Sequence, residues 1–377
     1  MTGPLTGTRV LVLAGMGPVP YVSMLLADVG ADVVRVVRPQ GRAARALAAT
    51  ASLTEQTDIV NRGVDAVAAD LKAPEGREAV LALAERADVF VEGYRPGVAE
   101  RLGLGPDDLL ARNPRIVYAR LTGYGQSGPR AREAGHDINY VAQSGALHML
   151  STPDDGPRPP MNLLGDYAGG GAIAAFGIVS AVLSARTTGR GQVVDAAMLD
   201  GVALLTAKIQ GLRAAGIHSD EPGTNFLDGA APFYACYRCA DGRYLAVGAI
   251  EGDFYREFLA RLDVDTSDWP AQNDRSGWPR LRELIAAAIA TRTRDEWTEA
   301  FAGADACVSP VLTFDEAADE PHNAERGLYR RVDGVLHPAP APRFSATPAR
   351  EPQSPRPGTS EIADVVSRWS GEDGRTT

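Results

Sequence analysis

The chain has 377 residues, with 48 acidic and 38 basic side chains and a formal net charge of −10 at pH 7. At roughly 100–200 residues per domain this length suggests two or three domains, and 45% hydrophobic content excludes a disordered chain or a mini-protein. The acidic balance argues against a nucleic-acid coat or a polybasic membrane binder, so an anionic ligand needs positive charge gathered locally. Lys72 and Lys208 are the only lysines. The remaining basic residues are arginines, whose guanidinium suits phosphate.

Thr8–Ala14 predicts a first strand, followed by Gly15-Met16-Gly17, a helix over Pro20–Val29 closed by Gly30, and a second strand over Asp32–Val37. This βαβ opening implies a parallel sheet. Helix-then-strand pairs recur at Pro74–Glu85 with Asp88–Glu92 and at Pro106–Arg112 with Arg115–Leu121. A helix-rich stretch from Asp137 leads to a Gly-rich apolar segment, Tyr167–Ala185, which carries no charge over 19 residues. That length meets the ~18–20-residue threshold for a membrane span. Its glycines and the bracketing Asp166 and Arg186 favour a buried, closely packed helix instead. Gln192–Ala197 reads as a strand and Met198–Ala215 as a helix, before a polar linker at Glu221–Gly229.

Pro232–Ala249 reads β, with a turn at Asp241-Gly242, and helices are expected near Asp253–Leu262, Pro279–Ala290 and Asp295–Ala302. Strands followed by helices indicate a separate α+β domain. Pro338–Pro357 carries seven prolines and should run extended over the surface, with a short last helix at Ser360–Trp369. The expected division is a large α/β domain from residues 1–200 and 328–377, a linker at 201–224 and a small α+β domain at 225–327. No internal repeat is visible.

Cys236, Cys239 and Cys307 are too few for a disulfide framework. The single C-x-x-C, Cys236 to Cys239, has no second copy and no histidine at ligand spacing, so an incidental pair of buried thiols is expected. Met1–Leu5 shows neither a basic n-region nor an apolar core. No signal peptide is therefore expected, and the expected location is cytoplasmic.

Gly15-Met16-Gly17 after a first strand invites a dinucleotide-binding reading, but Pro20 stands where G-x-G-x-x-G needs its third glycine. Arg38 replaces the acidic residue expected after the second strand. The position still matters, because α/β sheets receive ligands at the carboxyl ends of their strands. Ala69-Asp70-Leu71-Lys72, Gly93-Tyr94-Arg95-Pro96-Gly97 and Arg101 fall at equivalent ends. Each alone reads as an ordinary βα loop. Together, Arg38, Lys72, Arg95 and Arg101 are placed to bind one polyphosphate nucleotide.

Two segments carry candidate acid/base groups. In Gly135-His136-Asp137-Ile138-Asn139-Tyr140, His136 has the titration range of a general base. The alternative is a loop histidine beside Asp137 as a helix cap. Asp166, opening the Gly-rich helix, is either an N-cap, with a carboxyl lowered by the helix dipole, or a base, with a carboxyl raised by burial. Spacing alone leaves both pairs open.

Several stretches resemble the family III CoA-transferase superfamily: Gly15-Met16-Gly17-Pro18, Gly30-Ala31-Asp32-Val33-Val34, Glu92–Gly97, Thr122-Gly123-Tyr124-Gly125-Gln126-Ser127-Gly128-Pro129, Gly191–Met198 and Pro342-Arg343-Phe344-Ser345. The matches run from about Gly3 to Phe344. Gly135–Tyr140, Asn162–Asp166, Leu227-Asp228-Gly229, Ala246–Glu251 and Asp305–Val308 look like the α-methylacyl-CoA racemase branch, where transferases usually carry tyrosine in place of His136. Two departures are visible. Tyr21 stands where bacterial racemases often have histidine, and Gln40–Asp58 is polar and Ala-rich.

The resemblance implies a Rossmann-like large domain, a small α+β domain and an interlocked homodimer. It implies an acyl-CoA substrate inverted at its α-carbon by His136 and Asp166 from opposite faces, through an enolate held by the backbone N–H of Asp137. Glu251 would orient His136 from the partner chain. Arg38, Ala69, Lys72, Tyr94, Arg95 and Arg101, with Gly135 and Tyr140, would hold the CoA ester. No metal or redox cofactor, nucleic acid or membrane is expected as a partner. The rival readings are CoA transfer, with Asp166 as a nucleophile forming an anhydride and then an enzyme thioester, and acyl-CoA binding without catalysis.

Overall fold

The computed structural model describes residues 3–13, 15–39, 56–152 and 155–371. Most of the Ala-rich Gln40–Asp58 stretch lies outside them, and Ala14 of the first predicted strand does too. The chain divides into two compact units, one of Met1–Ala146, Pro160–Thr206 and His322–Thr377, the other of Leu147–Pro159 and Ala207–Pro321.

The larger unit is built on six parallel strands: β1 (Arg9–Leu13), β2 (Asp32–Val37), β3 (Val64–Ala68), β4 (Val89–Glu92), β5 (Val117–Thr122) and β6 (Val193–Ala197). Their order is β3-β2-β1-β4-β5-β6, every pairing parallel. Helices α1 (Pro18–Asp28), α2 (Pro74–Ala84) and α3 (Pro106–Arg112) connect them, each with proline in its first turn, where its missing N–H costs nothing. Continuous valine runs suit strands covered on both faces. Val10, Val12, Val33 and Val91 join one core layer, and Leu11, Leu13, Val34 and Phe90 the other. The fold class read from the sequence is thus present.

After β5 the chain forms α4 (Asp137–Gln143), then a π-helical segment, Leu163–Ala172, that runs on into α5 (Ile173–Thr188). The predicted buried helix is only partly buried. Ala174, Ile178, Ala181 and Ala185 pack on the sheet, whereas Phe176 and Leu183 are 74% and 68% exposed. The helix predicted over Met198–Ala215 breaks at Thr206, leaving α6 (Met198–Leu205) in the larger unit and α7 (Ala207–Ala214) in the smaller. Thr206 turns its hydroxyl back onto the Ala203 carbonyl, 2.8 Å away.

The smaller unit holds an antiparallel sheet of β7 (Tyr234–Arg238), β8 (Tyr244–Gly248) and β9 (Val308–Pro310), with β8 central. Helices α8 (Gly252–Arg261), α9 (Trp278–Ile289) and α10 (Arg294–Ala300) supply Phe258, Leu281, Ile285 and Trp297 to its core. The C-x-x-C is not a pair of buried thiols, because Cys239 is buried and Cys236 exposed. Residues an odd number apart on an extended chain face opposite sides, and the core side here holds Tyr237 and Cys239.

The chain then returns to the larger unit as a hairpin, β10 (Tyr329–Val332) with β11 (Val335–Pro338), a mostly extended proline-rich run and a last helix, α11 (Ile362–Gly371). Buried Arg62 grips Asp28 at 2.6 Å and donates to the Pro338 carbonyl at 2.8 Å. Ser360 donates its backbone N–H to the Ala66 carbonyl of β3, Arg356 pairs with Asp65, and the Trp369 indole donates to Asp32 at 2.8 Å.

Candidate active site

Strand order reverses between β1 and β4, and the crevice beyond their carboxyl ends is where such sheets take ligands. Gly17 turns the chain from β1 into α1 at φ 63°, a left-handed backbone that favours glycine. Its missing side chain leaves room for the Asp166 carboxylate. A Cβ on Gly17 would stand 2.9 Å from Asp166 Oδ1.

Asp166 lies inside the π-helical segment, whose N-cap is Asn162, so the capping alternative is excluded. A π-helix bonds i to i+5 and widens the turn, a geometry frequent at functional sites. Burial pushes the Asp166 carboxyl above the ordinary carboxylate range. The Asn162 amide, donating to Oδ2 at 3.3 Å, opposes this, while Asp137 adds to it and His136 opposes it. The imidazole and the two carboxylates are therefore electrostatic neighbours.

His136 is the N-cap of α4, exposed, with its backbone N–H donating to Asn139 Oδ1 at 3.0 Å. Asp137 is the first helical residue and is buried, and its side chain does not serve its own helix. Asp137 Oδ2 accepts the backbone N–H of Asp166 at 2.6 Å. Two segments remote in sequence are thus tied together at the residue after His136 and at Asp166 itself.

Tyr140, one turn along α4, lies against Gly123 and Gly135 and meets Tyr124 edge-on, with ring centroids 4.9 Å apart. Burial, with Tyr124 and Asp166 adding, pushes its hydroxyl up to about 12, while Arg95 pulls it down. Tyr94 is likewise raised, first by burial and then by Glu92, against Arg38. Arg38 and Arg95 therefore stand at the same sheet edge as the two tyrosines. Lys72 is exposed on a loop fixed by its N–H to Asp70 Oδ1 at 3.0 Å, Arg101 is also exposed, and Ala69 is buried. Glu251 lies in the smaller unit, exposed, as the N-cap of α8. There it raises the Cys307 thiol, after the larger effect of burial.

Sequence reasoning missed three neighbours of Asp166. Gly17 and Asn162 are two. The third is Tyr167, stacked on Tyr21 with centroids 4.4 Å apart and planes at 18°. A small residue next to a strand end and an amide four positions before a carboxylate were the available signals. Among the described residues no group of three His, Cys, Asp or Glu is arranged to hold a metal ion.

The sequence pattern of CoA-transferase family III matches residues 5–361. Alpha-methylacyl-CoA racemase of Mus musculus is 42% identical over 369 residues, covering 97% of this chain and 93% of that protein. The Homo sapiens protein of the same name is 42% identical over 346 residues, covering 92% and 87%. Among solved structures, a CAIB/BAIF family protein from Brucella suis superposes with a TM-score of 0.82 at 25% identity, covering 98% of this chain and all of that one. A family match across the switch-point loops and both units, with identity at this level over nearly the whole length, places the chain in CoA-transferase family III.

Proposed function

We propose that this chain is an acyl-CoA racemase that inverts the α-carbon of a 2-methyl-branched acyl-CoA. The observation that carries the reading is the Asp166 carboxyl, raised by burial and set against Gly17 at the sheet's switch point, with His136 beside it. Relatives named alpha-methylacyl-CoA racemase, 42% identical over most of the chain, support the same reaction.

Inversion breaks the C–H bond next to the thioester carbonyl and remakes it on the opposite face. One base takes the proton while the electron pair moves onto the carbonyl oxygen, giving an enolate. The conjugate acid of the other group then returns a proton to the α-carbon. His136 and Asp166 exchange these roles with direction, and a base works best when its pKa lies near the working pH. A carboxyl raised by burial is suited to both halves of the cycle. The first N–H groups of a helix have no partner within it, so the Asp137 N–H is a preplaced donor for the enolate oxygen.

In this reading Arg38, Lys72, Arg95 and Arg101 hold the CoA phosphates, Ala69, Tyr94, Gly135 and Tyr140 line the rest of the CoA ester, and neither a metal nor a redox cofactor enters a step. Glu251 orients the His136 imidazole from a second copy of the chain in an interlocked homodimer. The exposed Phe176 and Leu183 on α5 support a covered face.

The test is to incubate each enantiomer of a 2-methylacyl-CoA with the protein in D2O, without an acceptor acid. Racemisation incorporates deuterium at the α-carbon and erases optical purity. Transfer of CoA to an added carboxylate, with no exchange at carbon for any branched ester, would replace this reading with the transferase one. Inertness in both assays would leave binding only.

A further inference from the structure

We infer that the Asp137 side chain is a positioning residue, a clamp that sets the spacing of the two proposed bases. The inference rests on the racemase reading for its catalytic meaning, although its geometry stands without it. Asp137 is 6% exposed, and its Oδ2 accepts the Asp166 N–H at 2.6 Å. Its Oδ1 is buried with no hydrogen-bond partner among the described residues. Burying a carboxylate with one oxygen unsatisfied is costly, so a fold that retains one there gains something other than stability.

The fit is tight on the other side as well. A Cβ on Gly165 would lie 2.5 Å from Asp137 Oδ2, so the π-helical segment approaches α4 at this point through backbone alone. His136 precedes Asp137, and Asp166 supplies the N–H that Asp137 accepts. One carboxylate therefore fixes α4 to the π-helical turn with a single intervening hydrogen bond. A base misplaced by about 1 Å can lose about 100-fold in rate, which is the loss such a tie prevents.

The clamp also carries charge. The polar and titratable groups around Asp166 are His136, Asp137 and Tyr140 from α4, Asn162 and Tyr167 from its own segment, and Tyr21 of α1. Burial is the main cause that raises the Asp166 carboxyl, and Asp137 is the neighbouring group that adds to it, against Asn162 and His136. In the direction where Asp166 removes the α-proton it must be ionised, so activity rises with pH through its pKa. Removing the Asp137 charge lowers that pKa and moves the acidic limb to lower pH.

Asp137→Asn keeps an oxygen acceptor of the same shape and removes the charge. Asp137→Ala removes both, and Asp137→Ser is a second neutral acceptor if the amide does not fold. The first readout needs no turnover. Carbon-13 carboxyl NMR of Asp-labelled protein, with the Asp166 signal assigned by its absence in Asp166→Asn, should show Asp166 titrating at lower pH in the Asn or Ser variant than in the parent. The second is kcat against pH. The Asn variant should lose less than about 10-fold with its acidic limb shifted down, and the Ala variant about 100-fold with KM little changed. An unmoved Asp166 titration overturns the electrostatic half of the inference, and full activity in Asp137→Ala overturns the clamp. If the parent exchanges no deuterium the racemase reading fails, and the NMR result still decides whether Asp137 controls Asp166.

Discussion

The two sides of the larger unit use charge in opposite ways. Where the C-terminal return covers β2 and β3, buried ions are neutralised: Arg62 with Asp28, and Arg356 and Arg368 with Asp65. Glu92 and Arg120 do the same within the sheet, 3.0 Å apart. At the carboxyl edge, Asp166 has one long bond from Asn162, Asp137 has an oxygen with no partner among the described residues, and Arg38, Lys72, Arg95 and Arg101 point into solvent. Paired ions specify how segments meet and yield little net stability. Ions without such partners among the described residues gather at the proposed site, and that contrast marks it without any motif.

The comparison breaks most visibly if Asp166 proves to be structural. Asp166→Ala should lower the rate of α-deuterium exchange by about 1,000-fold while the thermal midpoint holds or rises. A collapse of the fold would place Asp166 with the paired ions. Arg62→Ala should do the reverse, destabilising by about 3–5 kcal/mol because buried Asp28 loses the guanidinium that binds both its oxygens. Urea melts would show this, with exchange per folded molecule unchanged.

Smaller effects sharpen it. Arg38→Gln with Arg95→Gln should raise KM for the acyl-CoA about 10-fold, with kcat little changed and the difference shrinking as salt is added. An unaltered KM would remove these arginines from ligand binding. Asp166→Asn tests the cost of holding an ion in the crevice. The folded carboxyl titrates above its unfolded value of about 3.9, so its ionised form is the penalised one, and the penalty appears as pH rises through the folded pKa. The Asn variant should therefore melt higher than the parent at pH 7, with the gain fading as pH falls towards 4. A gain that grew on acidification would reverse the assignment. Trp369→Phe, which removes the bond to Asp32 together with part of a fully buried ring, should cost at least about 1 kcal/mol in a urea melt.

What was legible in the sequence follows the same division. Valine-rich β1 and β2 announced themselves, whereas β3 did not, because Asp65 interrupts its pattern. That carboxylate makes sense only with Arg356 and Arg368, which arrive from the other end of the chain. The hairpin of β10 and β11 hid behind Arg330-Arg331 for a similar reason, since its buried face is set by His337. Composition pointed to an apolar helix after Asp166 but not to its π-helical start, which depends on backbone bonding rather than residue type. His136 and Asp166 were each visible as candidates. Their proximity came only with the family resemblance and not from spacing, because the link is an Asp137 carboxylate accepting a backbone N–H, an interaction without sequence periodicity.

The returning C-terminal segment also orders events during synthesis. Domains fold as units as they emerge, but here the larger unit is interrupted by Leu147–Pro159 and Ala207–Pro321. The smaller unit has all of its residues before the ribosome has made Arg356, Arg368 and Trp369. Until those residues appear, Asp32 and Asp65 wait without the partners that close over β2 and β3. The first domain begun is the last one finished, and that edge of the sheet stays open until the end of synthesis.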